Sequence, residues 1–310
     1  MSGLCEGRVV VVTGAGRGIG RGHALEFARE GATVIVNDVG ADVNGSGTAA
    51  GPAGEVVDLI RSMGGTARVD GSDVSDEDGA RRLIESTVET YGELHALVNN
   101  AGILRDRMLV NMSAAEWDDV IRVHLRGTFL CLHHAARHWK DRSKAGAAVD
   151  ARVVNTTSSS GIYGNIGQGN YGAAKAGIAS LTVIAAMELA RYGVTVNAVA
   201  PAALTRMTEN LPGASARPTV PEGAFDESAP DNIAPLVVWL SSPEAAGVTG
   251  RVFNVRGGRI SVAEGWRAGP TVDRGGRWNP GELGSVIPGL VAEAAPNAGM
   301  NGLVPETVGP

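Results

Sequence analysis

Short apolar runs that end in glycine or a small polar residue, each followed by an apolar-periodic stretch, recur along this chain and leave few folds open to it. Arg8 to Thr13 is rich in β-branched residues, as a buried strand requires. It empties into Gly14-Ala15-Gly16-Arg17-Gly18-Ile19-Gly20, and a helix is predicted from about Ile19 to Glu30. Ala32 to Asn37, Ala67 to Val69, Leu97 to Asn99, Val153-Val154, Val194 to Val199 and Arg251 to Val255 repeat the strand signal. Helical stretches over 52–63, 76–91, 113–138, 171–191 and 231–241 lie between them. Six or seven strands alternating with helices predict an α/β fold, a doubly wound parallel sheet.

There are no internal repeats and no sign of a second core, so 1–262 is expected to form a single Rossmann-like domain. Residues 204–230, mixed and proline-containing, are read as a substrate cover. Beyond Gly258 the composition shifts to Gly, Pro, Arg and Trp without periodicity, and 263–310 is read as an extension that wraps a neighbour. A formal charge of -6 argues against nucleic acid or an anionic membrane as partner. The two cysteines, Cys5 and Cys131, suit a reducing cytosol. With no secretory leader pattern and no unbroken apolar run of membrane-spanning length, the expectation is a cytoplasmic protein.

The glycines after the first strand let backbone amides approach a pyrophosphate, to which a helix N-terminus adds donors and partial positive charge. The spacing is Thr-Gly-x-x-x-Gly-Ile-Gly, using Thr13, Gly14, Gly18, Ile19 and Gly20, rather than G-x-G-x-x-G. The second strand ends at Asp38, eighteen residues past Gly20 and near the distance at which an acid meets the adenosine ribose hydroxyls. Its carboxylate repels a 2′-phosphate and favours NAD over NADP; Arg17 is the dissenting residue. Asp73 and Val74 end the third strand, where they can hold an adenine, although Asp73 can equally cap a loop. The fourth ends in Asn99-Asn100-Ala101-Gly102, small enough for a flat ligand to lie on and polar enough to tie neighbouring strands.

The chemistry is predicted near Tyr171 and Lys175, four residues apart on one helix face. A phenol titrates near 10, and bringing it to about 7 takes roughly 4 kcal/mol of preference for the phenolate. A cation about 4 Å away at an effective dielectric near 20 supplies about that much. Only three lysines occur in the chain, Lys140, Lys144 and Lys175, which makes this one conspicuous. Ser158, thirteen residues before Tyr171, is chosen over Ser159 and Ser160 as the hydroxyl facing the same substrate oxygen. Pro201 and Thr205, after the sixth strand, can meet a nicotinamide carboxamide. His134 and His138 have the spacing of a metal pair but no third ligand, so no metal site is expected. Ser113 with Glu116 forms a capping box at the start of the helix that carries them.

Taken together, the Thr13 to Gly20 turn, Asn99 to Gly102, Ser158, Tyr171 and Lys175 resemble the short-chain dehydrogenase/reductase family over roughly 5–260. Asn99 to Arg107, Val123 to Phe129, Gly161 to Asn165 and Arg206-Met207-Thr208 further resemble the (3R)-hydroxyacyl-CoA dehydrogenase region of peroxisomal multifunctional enzymes and their actinobacterial relatives. The resemblance implies a lipid alcohol as substrate, a (3R)-hydroxyacyl-CoA or a sterol-derived, 17β-hydroxysteroid-like compound. It implies Tyr171 as acid and base, Lys175 on the nicotinamide ribose, Ser158 on the substrate oxygen, and a homodimer or homotetramer packed through the helices 113–138 and 171–191. His124 stands where most of the family has an asparagine whose main-chain carbonyl holds a relay water. A backbone role survives that change, and a side-chain role does not. The usual Pro-Gly after the sixth strand is Pro201-Ala202 here. Two other readings are a 3-oxoacyl-thioester reductase using NADPH, with Arg17 overruling Asp38, and an NAD-binding regulatory protein without chemistry.

Overall fold

A computed structural model of the chain describes residues 3–40, 51–205, 220–221 and 223–304. In chain order, β1 (Val9–Thr13) leads to α1 (Gly18–Arg29), β2 (Thr33–Asn37) to α2 (Gly51–Ser62), and β3 (Thr66–Asp70) to α3 (Glu77–Tyr91). Next come β4 (Ala96–Asn99), α4 (Ala114–Ile121), a π-helical segment Arg122–Arg126 and α5 (Gly127–Lys144). The second half holds β5 (Ala151–Thr156), α6 (Ser159–Tyr163), α7 (Gly169–Leu189), β6 (Val194–Pro201), α8 (Ala234–Leu240), β7 (Val252–Arg256), β8 (Arg259–Ala263) and α9 (Ile287–Glu293). The strand order is β3-β2-β1-β4-β5-β6-β7-β8. All pairings are parallel except the last, β7 with β8.

Because successive side chains of a strand face opposite ways, a central strand must be apolar throughout. In β1, Val10 and Val12 join one core with Ala24, Phe27, Val57, Ile60 and Val237, from α1, α2 and α8. Val9 and Val11 join the other, with Leu83, Ile84, Leu130, Ala135 and Ala186 from α3, α5 and α7. Burying each valine contributes roughly 1.5–3 kcal/mol, and the result is a sheet between two helical layers. The order reverses between β1 and β4, where a doubly wound sheet opens a crevice beyond its strand ends.

Two elements differ from the sequence reading. The expected long helix from Ser113 is present with its capping box, but passes through the π-helical segment, and α5 runs on to Lys144. The final strand is β8, not β7: a two-residue turn at Gly257 and Gly258 sends the chain back antiparallel. Ile260 and Val262 of this edge strand are half exposed, so burial leaves little signature in its sequence. Among described residues none beyond Gly257 is buried, although the extension holds a 3-10 turn, Pro280–Ser285, as well as α9. Most of the expected substrate cover, 206–219 and 222, and most of the loop expected over 42–54, lie outside the described residues.

Among the described residues one helix, Gly169–Tyr192, is long and apolar enough to cross a membrane, with a mean hydropathy of 1.4. It instead lays Ile178, Thr182, Ala185 and Ala186 into the interior, its contacts including β5 and β6. Length and composition alone do not separate a spanning helix from one that covers a sheet.

Candidate active site

A cavity of about 950 Å³ opens along the carboxyl ends of the strands. Its wall includes Gly14, Arg17, Gly18, Ile19, Gly20, Asp38, Asp73, Val74, Asn100, Ala101, Gly102, His124, Ser158, Tyr171, Lys175, Pro201 and Thr205, while Thr13 and Asn99 of the sequence motifs stand behind it.

At one end the glycine turn is held by main-chain contacts. Gly14 has φ +63°, and a Cβ there would stand 2.8 Å from the Ala101 Cα; at Gly20 it would stand 2.2 Å from the Gly14 carbonyl oxygen. No side chain fits at either place. Asn100 ties this turn to β4, its Nδ2 donating to the Thr13 and Gly14 carbonyl oxygens at 3.0 and 3.1 Å. The Thr13 hydroxyl accepts from the amides of Asn100 and Ala101. Asn99 meanwhile donates across to Asn155 at 2.9 Å, one of the strand ties expected of the paired amides.

Asp38 closes the turn from β2. Its Oδ2 accepts from the Gly16 amide at 2.9 Å and its Oδ1 from Gly40 at 2.7 Å. Carboxylate oxygens have further lone pairs, so this seat leaves acceptor capacity for ribose hydroxyls. Asp73 caps its loop, Oδ1 accepting from the amide and hydroxyl of Ser75, and it also lines the cavity. Close backbone at two glycines, donors at a helix start and an acid at the end of β2 fit a nicotinamide dinucleotide.

The chemical groups come from β5 and α7. Ser158 is the N-cap of α6, accepting from the Ser160 amide at 3.2 Å. Ser160 donates instead to Gln168 at 2.7 Å, which leaves Ser158 as the serine facing the phenol. Lys175 is 3% exposed; its Nζ donates to the Thr156 carbonyl at 2.6 Å and lies 5.6 Å from the Tyr171 ring centroid.

The expected lowering of the Tyr171 pKa by Lys175 is reversed here. Burial pushes Tyr171 up to about 12, against the Ser158 hydroxyl, which acts downward; the Asp106 carboxylate adds to the rise. Burial also pushes Lys175 down to about 7. The same burial that weakens the charge on the amine makes the phenolate costly, and desolvation prevails. Without further positive charge in the cavity, Tyr171 is a phenol, ready to give a proton.

His124 lies in the π-helical segment, a distortion that often marks functional sites. Its ring meets Tyr171 edge-on at 5.2 Å and is 1% exposed. Nε2 is 3.0 Å from the Ile103 nitrogen and 2.7 Å from its carbonyl oxygen, so either tautomer pairs with this residue's backbone. Burial, helped by the Lys175 charge, pushes its pKa down to about 3, and the imidazole stays neutral.

Sequence reasoning missed a side-chain network beside Ser158. Gln168 accepts from Ser160 and from Asn165 and donates to Asp106 at 2.8 Å, tying the loop after α6 to the loop after β4. Asp106 and Gln168 are far apart in the chain, and nothing local in either stretch predicts the pairing. His138, half of the spacing that resembles a metal pair, bonds Glu93 at 3.0 Å. Among described residues no group of three His, Cys, Asp or Glu is placed to hold a metal.

The family model described as "Enoyl-(Acyl carrier protein) reductase" matches residues 14–259, and the chain belongs to this short-chain dehydrogenase/reductase family. It is an NAD(P)-dependent oxidoreductase of that family. It is 44% identical to "Hydroxyacyl-CoA dehydrogenase ChsB1" of Mycobacterium tuberculosis, covering 91% of this chain and 88% of that one. It is 42% identical to "Peroxisomal multifunctional enzyme type 2" of Mus musculus, covering 82% of this chain and 32% of the mouse protein. A crystal structure of a short chain dehydrogenase from Mycobacterium avium superimposes with a TM-score of 0.86 at 54% identity, covering 96% of this chain and 98% of that one.

Proposed function

We propose that the protein interconverts a secondary alcohol and a ketone with NAD, acting on a (3R)-hydroxyacyl-CoA or a sterol-derived, 17β-hydroxysteroid-like substrate. The observation that carries this reading is the convergence of Ser158, Tyr171 and Lys175 in the cavity that also holds the glycine turn and Asp38. The named activity of the mycobacterial relative supports the hydroxyacyl-CoA class. The Asp38 seat supports NAD, since a 2′-phosphate there would meet a carboxylate already fixed by two amides.

In this reading the glycine turn amides take the pyrophosphate, and Asp38 takes the adenosine ribose. Asp73 and Val74 border the adenine, while Asn100 to Gly102, Pro201 and Thr205 border the rest of the dinucleotide. Bound there, the oxidised cofactor supplies the hydride acceptor and a positive charge beside the phenol. Ser158 Oγ donates to the substrate oxygen and stabilises charge developing on it. Tyr171 Oη takes the alcohol proton during oxidation and returns it during reduction. Lys175 holds the ribose hydroxyls through Nζ. His124 positions rather than transfers: its ring braces Tyr171 and the Ile103 backbone, and any relay runs through its main-chain carbonyl. Phe129 of α5 and Val183, Ile184 and Met187 of α7 are exposed, a surface suited to pairing copies into a homodimer or homotetramer.

Steady-state oxidation of a (3R)-hydroxyacyl-CoA, its (3S) isomer and a 17β-hydroxysteroid, each with NAD and NADP, tests the reading. Turnover of the (3R) thioester or the steroid with NAD is expected. Silence on all three would remove the substrate assignment, and preference for NADP would make Arg17 rather than Asp38 the deciding residue.

A further inference from the structure

The extension beyond β8 has no buried residue among those described, and α9 packs chiefly against the 3-10 turn before it. A segment so poorly anchored has no structural need to return to the catalytic cavity. It returns nonetheless. Met300 lines the same cavity as Ser158, Gln168 and Tyr171, and Ser228 and Arg256 line it with them.

The turn that carries Met300 is built and seated by specific contacts. The Gly299 amide donates to the Leu303 carbonyl at 2.9 Å, the Gly302 amide to the Gly299 carbonyl at 2.8 Å, and the Leu303 amide to Asn301 Oδ1 at 3.0 Å. Gly302 has φ +75°, and a Cβ there would stand 2.9 Å from the Tyr163 hydroxyl oxygen. Tyr163 ends α6, five residues beyond Ser158, and its hydroxyl accepts from Asn254 Nδ2 of β7 at 3.1 Å. Backbone of the extension therefore rests directly on a phenol that is bonded to the sheet. Only glycine permits both the left-handed backbone and that approach.

We propose that the turn Gly299–Leu303 is the substrate-side wall of the catalytic cavity, and that Met300 sets how large an apolar group beyond the carbinol carbon the site accepts. The glycine turn, Asp38 and Asp73 line the cavity from β1, β2 and β3, whereas the turn that carries Met300 rests on Tyr163, at the end of the helix that Ser158 caps. A methionine suits that place, because its unbranched thioether adapts to irregular apolar shapes. At 43% exposed it has room to swing. The proposal rests on the dehydrogenase reading above for its substrate, but not for the seat of the turn.

Three variants test it in the full chain, and since none alters a buried side chain, each is expected to fold. Values of kcat/KM are measured with NAD for (3R)-hydroxyacyl-CoA substrates from a short straight chain to a bulky ring-bearing group. Met300→Trp is expected to lower kcat/KM at least tenfold for the bulkiest and less than threefold for the shortest. Met300→Ala is expected to narrow the preference among sizes, and neither is expected to change the Kd for NAD. Gly302→Val is expected to unseat the turn, so that limited proteolysis releases the extension at least fivefold faster while the rest of the chain stays intact. Equal effects on all sizes, a changed affinity for NAD, or an unchanged cleavage rate in Gly302→Val would each overturn the proposal. If the wild type turns over no thioester, the substrate reading fails by itself, and the proteolysis of Gly302→Val alone decides whether the turn is seated as a wall.

Discussion

At the cofactor end of the cavity Gly14 and Gly20 pack backbone on backbone, and the Thr13 hydroxyl and the Asn100 amide each bond main-chain groups, tying the turn after β1 to the end of β4. At the substrate end, Ser160, Asn165, Gln168 and Asp106 hold one another through side chains, and a turn from an exposed extension leans on Tyr163. In the first arrangement every one of these contacts has a main-chain group on at least one side, so its shape follows largely from where the strands end. The second depends on which side chains are present, so it can change between relatives without disturbing the sheet. Recognition of a common cofactor is thereby separated from recognition of a variable substrate.

The largest expected break falls where the two ends meet. Tyr171→Phe should lower kcat by about 10³-fold, within the range for general acid–base groups, while NAD binding, followed by tryptophan fluorescence, changes less than threefold. Persistent turnover would mean that the chemistry is not at Tyr171.

Acid should act on the fold as a whole, through buried imidazoles. His23 on α1 is fully buried, and burial pushes its pKa down to about 3, as it does for His124. An unfolded histidine titrates near 6.5, so between about 3 and 6.5 the unfolded chain binds more protons. The full stability is therefore present above pH 6.5 and is lost as pH falls towards 3. At pH 5 the loss is about 2 kcal/mol for each of the two. Denaturant midpoints measured from pH 7.5 to 5 should fall, and fall less in His23→Leu.

Smaller effects sharpen the contrast. Gly20→Ala forces a Cβ onto the Gly14 carbonyl, and overpacking of this kind costs roughly 1–3 kcal/mol; NAD affinity should fall at least tenfold, with KM for the alcohol nearly unchanged. Asp38→Ala should shift the NAD over NADP preference about tenfold, or roughly 1.4 kcal/mol, measured as a ratio of kcat/KM values. Gln168→Leu should raise KM for the alcohol severalfold, or roughly 1 kcal/mol, and leave NAD affinity alone. Loss of NAD binding in that last variant would show that the two ends are not separate.

What the sequence disclosed follows the same division. The sheet, the glycine turn, Asp38 and the Tyr171 and Lys175 pair were legible because each is a short-range pattern: a β-branched run, a turn between strand and helix, a spacing of four. The Gln168 network and the Tyr163 seat join residues more than 60 positions apart, and no local pattern encodes them. β8 escaped notice because an edge strand with exposed Ile260 and Val262 shows no mark of burial. The direction of the Tyr171 shift was misread because spacing reveals a neighbouring cation but not the desolvation of both partners.

The antiparallel turn of β8 has one more consequence. β7 delivers the chain to the edge of the sheet where the cavity opens, and five residues of β8 carry it about 17 Å back towards the opposite edge. The chain must then climb the height of the molecule again before Met300 can reach the cavity. The segment from 264 to 298, exposed along most of its length and with no buried residue, thus joins the sheet to the turn that carries Met300 as a tether. A single cut in that tether would yield an enzyme with its cofactor cradle and proton-transfer groups in place but with its discrimination between substrates removed.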